Sequence, residues 1–117
     1  MNIIEKLGIT PGPWHINPKG FGNVSDHKTV YATDGELRYV AICEDFANMR
    51  PTNNGANARL IAAAPELLEA LISAMGLVEA IQEFPGGEKV LPLKSQYTCV
   101  LEKATGKKWK EIKELLQ

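Results

Sequence analysis

The sequence predicts an α+β fold, with a small antiparallel sheet over residues 13–45 and helices from residue 56 onward packed against it. Three observations carry this expectation. Short β-branched and aromatic segments, two of them separated by Asp34-Gly35, fill the first 45 residues. An alanine-rich run and then a broad leucine stripe at helical spacing follow. Proline and glycine at Pro85-Gly86-Gly87 and Gly106 then divide the remainder into further pieces.

Taken in order, Ile3, Ile4 and Leu7 share one face of a short helix within Met1–Leu7, and Gly8 suits its C-terminus. Thr10-Pro11-Gly12-Pro13 is a turn, because two prolines lack the N–H that ladder pairing needs. Trp14-His15-Ile16-Asn17 alternates as a strand, and Pro18–Lys28 reads as a loop or a loosely paired hairpin. Thr29–Thr33 and Leu37–Cys43 are strands joined through Asp34-Gly35, where glycine accepts the positive φ of a tight hairpin turn. Leu37, Tyr39, Ala41 and Cys43 would line one face of the second strand, and Arg38, Val40 and Ile42 the other. Both faces are largely apolar, which predicts a central strand covered on each side.

The helical half opens after the irregular stretch Phe46–Gly55. Asn53 or Asn54 can cap a helix over Ala56–Ala64. Pro65 either ends that helix or opens the next, with Glu66 and Glu69 suited to a positive helix end. Leu67, Leu68, Leu71, Ile72, Met75, Val78 and Ile81 form an apolar stripe over 65–84, wide enough to cover a sheet and touch a neighbouring subunit. Val90–Leu93 reads as an extended link. Ser95–Ala104 is a helix stopped by Gly106, and Lys107–Gln117 is an amphipathic one carrying Trp109, Ile112, Leu115 and Leu116.

With 117 residues, 44% of them hydrophobic and 23% charged, the chain fits one domain, 1–117, with an ordinary soluble composition. No apolar run approaches the roughly 20 residues that cross a bilayer. Glu5 and Lys6 stand where a secretion signal would be apolar. These features point to the cytoplasm and argue against a membrane-bound or secreted role. A net charge of -1 argues against a protein that coats a nucleic-acid polymer. The charge is uneven, because residues 88–117 hold seven Lys against four Glu, which reads as a solvated helix face. Cys43 and Cys99 lack the spacing of a zinc site and are expected to be reduced and buried.

No nucleophile elbow, phosphate loop or metalloprotease motif is present. Glu44 and Asp45 are adjacent on a strand and point to opposite faces, so they cannot easily converge on one substrate. The expectation is a non-enzyme with no metal and no cofactor. Asn53, Asn54, Asn57 and Arg59 gather around a helix start, where free N–H groups and a guanidinium fork would suit a phosphate or pyrophosphate. The same residues would equally serve as caps, with Arg59 paired to a carboxylate. Trp14 is either a core anchor or a stacking surface for a base. Phe84, before the Pro-Gly-Gly break, is either an exposed stacking ring or a core or subunit contact.

Pro11-Gly12-Pro13-Trp14, followed by strands and then Asn57-Ala58-Arg59-Leu60-Ile61-Ala62-Ala63-Ala64-Pro65-Glu66-Leu67-Leu68-Glu69-Ala70-Leu71, resembles a widespread group of small bacteriophage and prophage proteins. Within that group the chain is most similar to the first type of Thoeris anti-defence proteins, phage sponges that sequester cyclic ADP-ribose signals. Met1–Trp14 adds to the similarity, which covers about the first two-thirds of the chain. The resemblance implies a sheet followed by helices, a homo-oligomer assembled from dimers, and a nucleotide held without turnover. It also implies a separate site for cyclic oligonucleotides in some members. Arg59 is the position carried over as the phosphate grip, oriented by Asn54 and Asn57, with Phe84 or Trp14 as the stacking aromatic. The expected function is counter-defence by sequestering a cyclic nucleotide messenger. The alternative is direct inhibition of a host defence protein, as anti-CRISPR proteins do, and a weak phosphodiesterase is a third class.

Overall fold

A computed structural model of the chain describes residues 2–17, 27–33, 37–44 and 54–117. They form an α+β structure in two compact units, Thr10–Glu66 and a helical unit made of Met1–Ile9 with Leu67–Gln117.

In the first unit, β1 (Trp14–Asn17), β2 (His27–Thr33) and β3 (Leu37–Glu44) form an antiparallel sheet in the order β1-β2-β3. Ile16 pairs with Val30 and Trp14 with Ala32, placing these four residues on one face. Val30 and Ala32 are fully buried. Helix α2 (Asn54–Ala62) covers Val30 with Ala58, Ile61 and Ala62, its inward residues at helical spacing.

Three expectations are corrected in this sheet. β2 begins at His27, so His27 and Lys28 are strand and not loop. The central strand is β2, with β3 at an edge of the described sheet. The apolar richness of β3 has another cause. Val30 pairs with Ala41 and Tyr31 with Tyr39, so the register slips by one and Val40 is the extra residue of a bulge. The neighbours Val40 and Ala41 consequently both pack on the Val30–Ala58 cluster, which strict alternation forbids. The expected loop over 18–26, the turn at Asp34-Gly35, and Asn53 as a cap lie outside the described residues.

The helical unit comprises α1 (Ile3–Lys6), α3 (Ala64–Gln82, from Leu67 onward), α4 (Leu91–Thr105) and α5 (Trp109–Leu116). Asn2 Oδ1 accepts the Glu5 N–H at 3.0 Å to cap α1, and Gly8 follows at φ 79°. Ile72, Met75, Leu101 and Ile112 form the core, flanked by Ile3, Leu7, Leu68, Leu71, Tyr97 and Trp109. The Lys6 ammonium donates to the Leu115 carbonyl at 2.9 Å and ties α1 to α5.

Proline at 65 opens a helix, as one of the two expected readings has it. Val90–Leu93 is not an extended link. A single 3₁₀ turn (Gly87–Val90) leads directly into α4, whose first turn accommodates Pro92 because no intrahelical partner exists there for its missing N–H. The helix expected at Ser95 thus begins four residues earlier. Gly106, at φ 72°, closes α4 by donating to the Glu102 carbonyl at 2.8 Å. Cys99 is exposed, contrary to expectation, because Leu101, Tyr97 and Thr105 define the inward side of α4. Cys43 lies in β3, and its side chain is outside those described.

Candidate functional site

The two blocks of sequence that stand out before folding meet in the sheet-bearing unit. Gly12 lies against the start of α3, where a Cβ on it would stand 3.4 Å from the Pro65 Cβ and 3.8 Å from Glu66 Oε1. Pro65 is buried there. One step further, the Trp14 indole N–H donates to the Thr10 carbonyl at 3.1 Å, and the ring packs beside the Val30–Ala58 cluster. Trp14 therefore acts as a half-buried anchor that fixes the Pro-Gly-Pro turn to the sheet.

Helix α2 presents the polar candidates. Asn54 is its first residue, at the end where free N–H groups gather. Asn57 and Arg59 are both exposed, while Ala58 between them is fully buried. Two residues along a helix are about 200° apart around its axis, so Asn57 and Arg59 flank the buried edge on opposite sides. One copy of α2 therefore does not aim both at the same atom. Leu60, beside Arg59, is 64% exposed. Its exposure follows from the inward set 58, 61 and 62.

Phe84 belongs to the helical unit, just beyond α3, and is 68% exposed. That exposure excludes a core contact for this ring within the chain. Trp14, Asn54, Asn57 and Arg59 thus share one unit and Phe84 the other.

The clearest electrostatic feature lies in the helical unit. Glu79 on α3 meets Lys113 of α5 at 3.3 Å and Lys94 of α4 at 3.8 Å. Burial alone raises the Glu79 carboxyl, but the Trp109 indole, Lys113 and Lys94 outweigh it and hold the group below its ordinary range. The Trp109 Nε1–H is itself buried without an acceptor in hydrogen-bonding geometry. Among the described residues, no three His, Cys, Asp or Glu side chains gather to hold a metal ion. No single described helix is long and apolar enough to cross a membrane.

Compared with known proteins, the chain matches the model of the family described as Salmonella phage P22 protein Y8K6 over residues 1–108. That span includes both sequence blocks, all three strands and most of the helical half. No curated protein and no solved structure matches it significantly.

Proposed function

The chain belongs to the Salmonella phage P22 protein Y8K6 family, and from that premise we propose that it is a counter-defence protein that sequesters a cyclic nucleotide messenger of the cyclic ADP-ribose type without degrading it. The observation that carries this reading is the meeting of the Pro11–Trp14 turn with the α2–α3 junction, which leaves Asn57 and Arg59 in water. Those are the blocks on which the resemblance to the Thoeris anti-defence sponges rests. In this reading Arg59 supplies a two-pronged cation to a phosphate. The α2 N-terminus, with Asn54, adds N–H donors. Because Asn57 and Arg59 diverge, one copy of α2 supplies only part of such a site. A sponge has to outcompete a receptor, so nanomolar affinity, about -12 kcal/mol, is the scale required.

The test is retention. The protein is incubated with glycocyclic ADP-ribose, freed of unbound ligand and heat-denatured, and the supernatant is analysed. Intact nucleotide is the expected result, and altered nucleotide would establish turnover instead. Arg59→Ala should abolish retention and leave Tm within a few degrees, since the side chain is exposed.

A second reading, inhibition of a host protein by direct binding, is favoured by Leu60 at 64% exposure beside Arg59. Arginine is enriched at protein interfaces, and an exposed leucine beside it adds apolar area to the same patch. Nucleotide retention failing while Leu60→Asp and Arg59→Ala both prevent recovery of one specific host protein would establish that reading.

A further inference from the structure

Residues along each strand of the sheet alternate between two faces. Helix α2 covers the face that holds Trp14, Ile16 and Val30. The opposite face is of another kind. His15 on β1 pairs with Tyr31 on β2, and Tyr31 pairs in turn with Tyr39 on β3. One aromatic position per strand therefore lies in a row across the sheet. The His15 and Tyr31 ring centroids are 5.4 Å apart, with the ring planes inclined by 38°. His15 is exposed and Tyr31 half-buried. By register, Asn17 and Thr29 share this face two residues further along the same strands.

We propose that this face binds the base of a free purine nucleoside, laid across His15 and Tyr31. Cross-strand contact between the two rings stabilises the sheet by itself. It leaves imidazole surface in water, however, where a planar ligand gains stacking area. Two rings side by side match a fused bicyclic base, whereas a single pyrimidine ring covers only one of them. Asn17 and Thr29 add residue types that hydrogen-bond to a base edge or a ribose.

Charge decides between a nucleoside and a nucleic-acid strand. A strand draws much of its affinity from lysines and arginines on its phosphates. Lys28 and Arg38 alternate onto the face that α2 covers, and among the described strand residues the aromatic face holds no other lysine or arginine. Its register also places a carboxylate residue, Glu44, opposite His27 at one end. Stacking without a phosphate grip sets the affinity, so dissociation on the order of millimolar is the expected scale. The site is separate from the one proposed around Arg59, which belongs to α2 on the other side of the sheet, and does not rest on it.

Titration of the full chain with adenosine, followed in the two-dimensional amide NMR spectrum, tests the proposal. The expected result is a saturable shift of the His15 and Tyr31 amides, with the His15 imidazole C–H protons moving upfield. Uridine should bind more weakly, and ribose should give no saturable shift. His15→Ala, a change at an exposed side chain, should weaken adenosine at least about fivefold, the low end of what one stacked ring contributes. Tyr31→Phe keeps the ring and should retain binding, while Tyr31→Leu should weaken it as His15→Ala does. Absence of a saturable shift, an equal response to ribose, or binding indifferent to His15→Ala overturns the proposal. Single-stranded oligoadenylate that binds far more tightly than adenosine, and only at low salt, overturns the choice of a free nucleoside.

Discussion

A methyl group added at Gly87 would stand 2.4 Å from the Ile81 carbonyl oxygen and 2.6 Å from the Gln82 Cα. Both are backbone atoms, so no side-chain rotation relieves the clash. Gly87 is buried where the chain doubles back after α3, its N–H donating to the Phe84 carbonyl at 2.9 Å. Gly87→Ala should therefore cost about 1–3 kcal/mol, the usual range for overpacking. Gly76, inside α3, has open space where its Cβ would be. There the loss of backbone freedom in the unfolded chain favours alanine, and Gly76→Ala should stabilise by up to about 1 kcal/mol. Urea unfolding of the two variants checks both signs, and a loss of stability at Gly76 would contradict the space seen above it. Trp14 gives a third residue-scale test. Trp14→Phe keeps a ring in the sheet cluster but removes the donor to the Thr10 carbonyl, so a loss of about 0.5–1.5 kcal/mol is expected.

At the scale of elements, Glu79 joins three helices through one carboxylate. Its folded-state pKa lies below the unfolded value, so its contribution is complete above the ordinary glutamate range and fades as pH falls through the lowered value. Glu79→Gln should flatten that part of the acid-side stability curve and cost less than about 1 kcal/mol near neutrality, since the lysines are partly solvated. Melting curves taken between neutral pH and the onset of acid unfolding provide the check, and an unchanged acid limb would remove Glu79 from the account. The elements themselves were legible wherever one local rule dominates. Gly8 and Gly106 end helices because they alone tolerate the positive φ found there. The inward set of α3 follows from its 3.6-residue period. The start of α4 was not legible, since Pro92 resembles a break unless the turn before it is known to present no partner for its N–H. The β3 bulge was not legible for a different reason, because the apolar residues it places on both faces of β3 have the same composition as a central strand. At the candidate site, sequence gathered Asn54, Asn57 and Arg59 around one helix start, with Asn54 a candidate cap. Helix α2 instead begins at Asn54 and ends at Ala62, and adjacency along the chain concealed the divergence of Asn57 and Arg59 around its axis.

At the scale of the whole molecule, each unit has a core of its own. Ile72, Met75, Leu101 and Ile112 serve the helices, and Val30 with Ala58 serves the sheet and α2. A void opened in one core should first raise the local opening of the elements that line it, because amide protection reflects the cooperative block to which each amide belongs. Met75 is fully buried among Ile72, Leu101 and Ile112, so Met75→Ala should cost about 2–5 kcal/mol. In native-state hydrogen exchange, the amides of α3, α4 and α5 should lose protection together in this variant, while those of β1, β2 and β3 change by a smaller factor. Val30→Ala, a smaller truncation in the sheet core, should give the converse pattern at lower cost. Equal loss of protection across both units in either variant would mean that the chain opens as one block. The two crossings of the chain, after Ile9 and after Glu66, would then transmit stability fully between the unit that holds Arg59 and the helical unit.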